Sequence, residues 1–431
     1  MGIFLTLDGN DFSLFGNLRA IDQVRLSSLN IMLSIRIQEF SIRSGEGITL
    51  SIRYSIIIPT YNRLHQLLLT LTSLETQTYP KDQFEVIVAD DGSTDGTRDM
   101  VADLHTSYRL IYASQGEQRG RSAIRNLGLR YAKGHYVIFC DSDFLLLPEF
   151  IQVVDRYHRR FPRSVLSGFP YSWDNIYTHY YPEFSPEEKE HFRNIITPSG
   201  LWNPHFETAT DIIPLITPED ILHRSEALSK AVFPSRIPHN TQAQFAKTDV
   251  APWMLLVTRC VSMKRSYLIR SGGFNEQFIL YGLEDWDLGY RLHRMNIPFR
   301  TINETVGYHQ EHPSLMRGDT LNTDNLKIMF KSYGFLDSSL NLFALVPPSE
   351  DLDKYKDILR ILRRGVRYTR TRSSARLLRR TLRMAAKQFC HGGHTMAYRQ
   401  SLSRISRSAR GRKSRVAHVL REMLVKAEQL L

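Results

Sequence analysis

Tyr54-Ser-Ile-Ile-Ile-Pro59 is a short run of mostly β-branched residues that ends in proline, the form of a buried parallel strand. Apolar residues at helical spacing follow at 64–74, and a second strand pattern follows at 84–89. The alternation continues with a helical pattern at 100–104, a strand at 109–112, a helix at 122–131 and a strand at 136–140. Strands that alternate with helices predict an α/β protein with a parallel, doubly wound sheet.

The composition is that of a globular chain. Of 431 residues, 42% are apolar and 23% are charged, which excludes wholesale disorder. No apolar stretch is long enough to predict a transmembrane helix. Three scattered cysteines, Cys140, Cys260 and Cys390, are too few for a disulfide framework or a zinc site, and they favour a reduced, cytoplasmic location.

Charge is divided unevenly along the chain. Residues 354–431, the basic tail, hold 22 Lys and Arg against three acidic residues, a net charge of +19, whereas residues 1–353 carry −7. Apolar residues recur at roughly helical spacing between its arginines: Ile358, Leu359, Ile361, Leu362, Val366, Leu377, Leu378, Leu382 and Phe389. Because such a helix suits an anionic membrane surface, we predict peripheral membrane contact through residues 354–431.

Other interpretations of the basic tail stay open. Its helices could pack on the preceding domain with solvated arginines, or its charge could attract a polyanionic acceptor. A nucleic-acid partner is not favoured, because the tail lacks interleaved aromatic residues.

Polar residues follow three of the predicted strands at the point where each strand ends. They are Thr60-Tyr61-Asn62, Asp90-Asp91 and Asp141-Ser142-Asp143. Ligands of doubly wound sheets bind outside the carboxyl ends of the strands, so we expect these residues at one edge. Four carboxylates at that edge predict a site for a nucleotide and a metal ion.

Asp141 and Asp143 are candidate ligands of Mg²⁺ or Mn²⁺, which take carboxylate oxygens and bridge them to phosphates. Asp90 or Asp91 can accept hydrogen bonds from a nucleobase or a ribose, although this pair also fits a simple Asx turn. After a strand-like stretch at 301–307, His309 could complete the metal shell and is preferred to His312.

A second acidic cluster lies at Glu284-Asp285-Trp-Asp287. Acidic residues are common in the first turn of a helix, because they interact favourably with the helix dipole. Three acids in four positions exceed what capping needs. A carboxylate here could act as general base towards an acceptor nucleophile.

Together these blocks resemble the family 2 glycosyltransferases of the GT-A fold, over roughly residues 53–330. The resemblance is carried by Ile57-Ile-Pro-Thr-Tyr-Asn-Arg63, Val88-Ala-Asp-Asp-Gly-Ser-Thr-Asp-Gly-Thr97, Gly120-Arg-Ser-Ala-Ile-Arg-Asn-Leu-Gly128 and Phe139-Cys-Asp-Ser-Asp143. Ile124 departs from the usual alanine of the third block. The run at 272–292 and the later Tyr308-His309-Gln310 are similar to those of galactosyl- and N-acetylhexosaminyl-transferases, including chondroitin-polymerase-like enzymes.

The resemblance implies an inverting, metal-dependent transferase of a hexose or N-acetylhexosamine from a UDP-sugar to a saccharide, lipid-linked or peptide acceptor. It implies that the UDP-sugar is bound by residues of the strand ends and the third block: Pro59, Thr60, Tyr61, Asn62, Asp90 or Asp91, Arg125, Asp141, Ser142 and Asp143. Asp141, Asp143 and His309 would hold Mn²⁺ or Mg²⁺. Asp285 would be the base, and Glu284 would orient it.

We therefore predict three regions along the chain. Residues 1–52 are an extension without an assigned role, 53–335 form the GT-A domain, and 336–431 form a basic, mostly helical region. Within the domain, the aromatic- and proline-rich residues 164–250 are predicted to form an acceptor-side insertion. The alternative function is an inactive sugar-nucleotide-binding or scaffold protein whose basic tail binds polyanions.

Overall fold

Strands and helices alternate through residue 140 as the sequence predicts. The computed structural model describes residues 3–6, 51–224, 226–235, 237–279, 281–316, 323–392 and 396–430, so most of the predicted extension at 1–52 lies outside the described residues. The strands are β1 (Ile3–Thr6), β2 (Tyr54–Thr60), β3 (Phe84–Asp90), β4 (Arg109–Ser114), β5 (Tyr136–Cys140), β6 (Phe144–Leu146), β7 (Val165–Ser167), β8 (Asn175–Ile176), β9 (His179–Tyr180), β10 (Ile213–Pro214), β11 (Val232–Phe233), β12 (Cys260–Lys264), β13 (Phe299–Thr301) and β14 (Gly307–Gln310).

The α-helices are α1 (Leu64–Glu75), α2 (Thr97–Asp103), α3 (Arg121–Tyr131), α4 (Phe150–Arg160), α5 (Pro186–Ile196), α6 (Pro218–His223), α7 (Glu226–Ala231), α8 (His239–Ala246), α9 (Arg265–Ser271), α10 (Glu284–Arg294), α11 (Thr323–Tyr333), α12 (Ser338–Asn341), α13 (Leu352–Arg367), α14 (Thr369–His391), α15 (Met396–Ala409) and α16 (Arg415–Glu428). Short 3₁₀ helices lie at Lys81–Gln83, Pro204–Glu207, Pro252–Leu255, Ser314–Met316 and Leu342–Ala344.

The main sheet has the strand order β1-β4-β3-β2-β5-β12-β7-β13. Strands β1 to β5 run parallel, but β12 runs antiparallel to both of its neighbours, so the sheet is mixed rather than wholly parallel. Ile57 packs into one hydrophobic cluster and Ile56 and Ile58 pack into another. Burial on both faces explains why β2 reads as a continuous apolar run.

A four-stranded sheet of order β11-β8-β14-β6 carries His309 next to the main sheet. The predicted strand at 301–307 is wrong, because the chain leaves the main sheet at Thr301 and enters the second sheet at Gly307. Helix α3 ends with Ala132 as its C-cap. A Cβ at Gly134 would lie 2.5 Å from the backbone nitrogen of Ser55, so close packing requires glycine there.

The apolar stripe of the basic tail is buried inside the protein. Ile358, Leu378 and Leu382 are at most 2% exposed and share a hydrophobic cluster with Phe330 and Phe343 of the preceding segment. The tail therefore packs as an appendage, and the prediction that this stripe enters a membrane is wrong for this structure. Contact through the exposed arginines stays a prediction.

Two further findings bear on location. Among the described residues, no helix combines the length and the apolar character needed to cross a bilayer. Cys140, Cys260 and Cys390 are all free thiols, and the cytoplasmic location stays a prediction.

Candidate functional site

A cavity of about 650 Å³ opens where the polar ends of β2, β3 and β5 meet, a size typical of small-molecule sites. Most of the predicted binding residues line it: Pro59, Thr60, Tyr61, Asn62, Asp91, Arg125, Asp141, Ser142, Asp143 and His309. Asp90, Glu284 and Asp285 lie outside this lining. The structure thus brings the three strand ends together as predicted.

Asp91 and Asp90 have different surroundings. The Asp91 carboxylate accepts hydrogen bonds from the backbone N–H of Arg119 (2.7 Å) and Gly120 (2.9 Å) and faces the cavity. Asp90 is fully buried and accepts hydrogen bonds from Ser93 N (2.8 Å) and the Tyr112 hydroxyl (2.7 Å). Asp90 therefore stabilises the turn, which leaves Asp91 as the candidate for nucleotide contact.

The turn after β2 is held against the turn after β3. Asn62 has a left-handed backbone (φ 50°), and its backbone N–H donates to Ser93 Oγ (2.9 Å). Its side-chain Oδ1 accepts a hydrogen bond from Thr94 N (2.8 Å). These bonds leave Tyr61 40% exposed at the cavity, where its ring can pack on a planar base.

Asp143 meets two histidines rather than one. Its Oδ2 lies 3.6 Å from His309 Nε2 and 3.2 Å from His312 Nε2, and the ligand atoms of the three residues lie within 4.8 Å of one another. This places His312, the less favoured candidate, in the group. Asp141 is not part of it, although it lines the same cavity.

The donor set of this group fits a divalent cation. Asp143 Oδ1 is buried without a hydrogen-bond partner, and an unpaired buried carboxylate oxygen is costly unless a ligand satisfies it. Burial raises the pKa of Asp143, but the adjacent imidazoles His309 and His312 outweigh this and lower it well below its usual value. Burial lowers the pKa of His312, so this imidazole is neutral and able to ligate at neutral pH.

The Arg125 side chain lies among three carboxylates. Its guanidinium is 3.3 Å from Glu284, 3.6 Å from Asp285 and 3.8 Å from Asp141, and it lies over the ring of Phe274. Burial disfavours the cation, yet these carboxylates together raise the pKa of Arg125. Arg125 therefore links the strand end of β5 to the start of α10.

The surroundings of Asp285 change the pKa of its carboxyl group. Its Oδ2 accepts hydrogen bonds from Thr258 N (2.9 Å) and Thr258 Oγ1 (3.0 Å), and its side chain remains 18% exposed. Burial raises the pKa of Asp285 to about 6, and the Arg125 charge limits the rise. Asp287, the other acid considered, is 1% exposed and ion-paired with Arg291 (2.7 Å), which excludes it as a base.

Glu284 supports this arrangement from the first turn of α10. One carboxylate oxygen faces Arg125, and the other accepts a hydrogen bond from the backbone N–H of Gly282 (2.9 Å). Its side chain is almost fully buried. Glu284 can therefore orient neighbouring groups, as predicted, without itself reaching the cavity.

Three arginines of the cavity wall were missed from the sequence: Arg63, Arg121 and Arg259. Arg63 and Arg121 lie inside the sequence blocks 57–63 and 120–128 that carry the family resemblance, so both could have been recognised as candidates from the sequence. Arg121 also begins α3, where helix N–H groups favour anions. Arg259 lies in none of the blocks, and only the antiparallel pairing of β12 with β5 brings it to this edge.

The mixed α/β sheet, with polar residues gathered at its strand ends, is the arrangement expected of the GT-A fold. Residues 55–212 match the family described as glycosyl transferase family 2, and residues 251–313 match the N-terminal domain of galactosyltransferase. Over these residues the resemblance to the family 2 glycosyltransferases seen in the sequence is confirmed.

Several proteins similar to this chain are named as glycosyltransferases or as a polysaccharide synthase. The chain is 32% identical over 277 residues to an uncharacterized glycosyltransferase, YfnE, of Bacillus subtilis, covering 60% of this chain and 65% of that one. It is 33% identical over 263 residues to validoxylamine A glucosyltransferase of Streptomyces hygroscopicus subsp. jinggangensis (60% and 55%). It is 31% identical over 260 residues to chondroitin synthase of Escherichia coli (60% and 35%). The chain spans less than two thirds of the length of these relatives.

Proposed function

We propose that this protein is an inverting, metal-dependent glycosyltransferase that moves a hexose or N-acetylhexosamine from a UDP-sugar to an acceptor hydroxyl. The observation that carries the proposal is the group of Asp143, His309 and His312 at a cavity that also collects Asp91 and several arginines. A carboxylate, two imidazoles and guanidinium groups together suit a diphosphate held with a divalent cation.

The donor contacts are assigned by chemistry and position. Asp91 accepts hydrogen bonds from the uracil or the ribose, and Tyr61 packs on the base. Arg63, Arg121 and Arg259 face the diphosphate, whose charge they offset. Asp143, His309 and His312 would hold the cation, Asp141 lines the same cavity outside this group, and Mn²⁺ suits the mixed oxygen and nitrogen set better than Mg²⁺.

Asp143, His309 and His312 would hold a cation that, when bound, would offset the negative charge of the leaving UDP. Asp285 takes the proton of the acceptor hydroxyl, whose oxygen attacks the anomeric carbon from the face opposite UDP. The new carbon–oxygen bond forms as the bond to the UDP oxygen breaks, which inverts the anomeric centre. Glu284 and Arg125 are positioning residues that hold Asp285 and its charge.

The test is turnover of a panel of UDP-sugars with Mn²⁺, measured as UDP release with and without a saccharide acceptor mixture. Wild-type protein should release UDP, and Asp143→Ala or excess chelator should abolish release. His105→Ala, which changes an exposed histidine away from both cavities, serves as the control. Full activity of Asp143→Ala would contradict the metal assignment, and no UDP release from any donor would favour the inactive binding protein instead.

A further inference from the structure

A second cavity of about 320 Å³ lies in the predicted acceptor-side insertion, between helix α5 and the 3₁₀ helix Pro204–Glu207. It shares none of its lining residues with the donor cavity. Its volume falls within the range of small-molecule sites and could hold one sugar ring. Nothing in the proposed mechanism uses it.

One wall of this cavity is aromatic and held in place. The rings of Trp202 and Phe206 meet edge to face with centroids 5.7 Å apart, and Phe206 packs in turn on buried Phe192 (5.4 Å). The Arg193 guanidinium lies 4.8 Å from the Trp202 ring. Trp202 nevertheless stays partly exposed, so the wall offers an ordered apolar surface. Such surfaces suit the C–H faces of sugar rings.

Four further residues that line the cavity are charged, and their charges balance. Arg193 forms an ion pair with Glu207 (3.1 Å), which orients both side chains. The side chains of Lys189 and Glu190 are exposed and make no hydrogen bond or ion pair with other described residues. Two cations and two carboxylates cancel, so a charged ligand gains little here. Hydroxyl groups, in contrast, can donate to the carboxylates and accept from the cations.

Helix α5, which carries Lys189, Glu190 and Arg193 of this cavity, also contacts the segment that follows the proposed metal site. Glu188 of α5 accepts a hydrogen bond from the backbone N–H of Ser314 (2.9 Å), two residues beyond His312. Just before α5, the Tyr181 hydroxyl accepts a hydrogen bond from Gln66 of α1 (2.6 Å). A ligand on α5 is therefore held on the same framework as the donor site.

We propose that this second cavity binds an uncharged hexose or N-acetylhexosamine unit of the acceptor, away from the transfer site. That this sugar belongs to the acceptor rests on the proposed function, whereas sugar binding itself does not. Balanced charge beside an ordered aromatic wall is what carries the assignment.

The test is saturation-transfer NMR on the full chain without donor, with methyl glycosides of glucose, galactose and N-acetylglucosamine and with methyl glucuronide. At least one neutral glycoside should bind, and more tightly than the glucuronide. Trp202→Ala should weaken it strongly. Glu190→Gln, a mild surface change, should weaken it about tenfold, as loss of a hydrogen bond to a charged group does. Glu183→Gln, exposed but outside the cavity, is the matched control.

Absence of binding by every neutral glycoside would overturn the proposal, as would unchanged binding in both cavity variants. Equal binding of the glucuronide would overturn the preference for uncharged sugars. UDP release, measured in parallel, separates the two proposals. Glycoside binding without UDP release would support the sugar-binding cavity and contradict the proposed transferase activity. UDP release without glycoside binding would support the transferase activity and contradict the sugar-binding cavity.

Discussion

The guanidinium of Arg125 lies 3.6 Å from the carboxylate of Asp285, so a residue of α3 stabilises the charge of a residue of α10. The two helices lie far apart in the chain, and this contact joins the strand ends of the first half of the domain to the start of α10. Because the Arg125 side chain is only 4% exposed, the pair is poorly screened by solvent. The charge of Asp285, the base of the proposed reaction, is therefore stabilised by Arg125, which itself takes no part in the proton transfer.

Replacing Arg125 by Met should destabilise the protein as well as inactivate it. The variant leaves Glu284 and Asp285 buried without a cation, which typically costs about 3–5 kcal/mol of unfolding free energy. Urea denaturation measures the loss. Arg121→Met, which removes an exposed arginine, should cost less than about 1 kcal/mol. Equal stability of the two variants would show that Arg125 does not neutralise the acidic pair.

Removing His312 should weaken metal binding. If His312 is a direct ligand, His312→Ala should lower the affinity for Mn²⁺ by at least about tenfold. Loss of a residue that only supports a metal ligand already lowers affinity by about that much, so loss of a ligand should cost no less. Titration of free Mn²⁺ by EPR measures it, with His105→Ala as the exposed control. Unchanged affinity in His312→Ala, together with a large loss in Asp141→Asn, would restore the ligand set first predicted from the sequence.

Transfer should depend on pH through Asp285. Because burial raises the pKa of this carboxyl to about 6, the fraction able to accept a proton falls as the pH drops through that value. The kcat/KM of transfer should therefore fall about tenfold per pH unit below it. Asp285→Asn should abolish transfer while leaving donor affinity unchanged. Transfer that persists within about tenfold, or ~1.4 kcal/mol of barrier, would show that Asp285 is not the base.

Strands and helices whose own residues show a clear apolar pattern were predicted well from the sequence. Strands β2 to β5 and helix α3 begin and end within two residues of the predicted limits, because each is specified by local apolar periodicity. The strand-end carboxylates met for the same reason, since parallel strands expose their carboxyl ends at one edge.

The predictions that failed were those that depend on contacts between segments far apart in the chain. The position of His312 follows from the antiparallel pairing of β14 with β6, which places His309 opposite Phe144 beside Asp143. Spacing along the chain contains no information on that register. The apolar stripe of the tail likewise carries the same signal whether it meets a membrane or Phe330, and only the packed structure distinguishes the two.

The last prediction concerns the exposed arginines of α14. Truncation at residue 353 would remove the buried partners of Phe330 and Phe343, so it would test folding rather than membrane contact. Changing charge on the surface avoids this problem. Four exposed arginines can be replaced by Gln, which keeps helix propensity: Arg376, Arg379, Arg380 and Arg383.

If these arginines meet a membrane, the full chain should co-sediment with vesicles that contain anionic lipid at low salt, where attraction is least screened. Each arginine removed should then weaken binding about fivefold, because each contributes roughly 1 kcal/mol at an anionic surface. Arg98→Gln with Arg270→Gln, two exposed arginines of the domain, is the control. Wild-type protein that stays in the supernatant at low salt would contradict membrane contact. Equal sedimentation with neutral vesicles would show that the charge of the tail is not what binds.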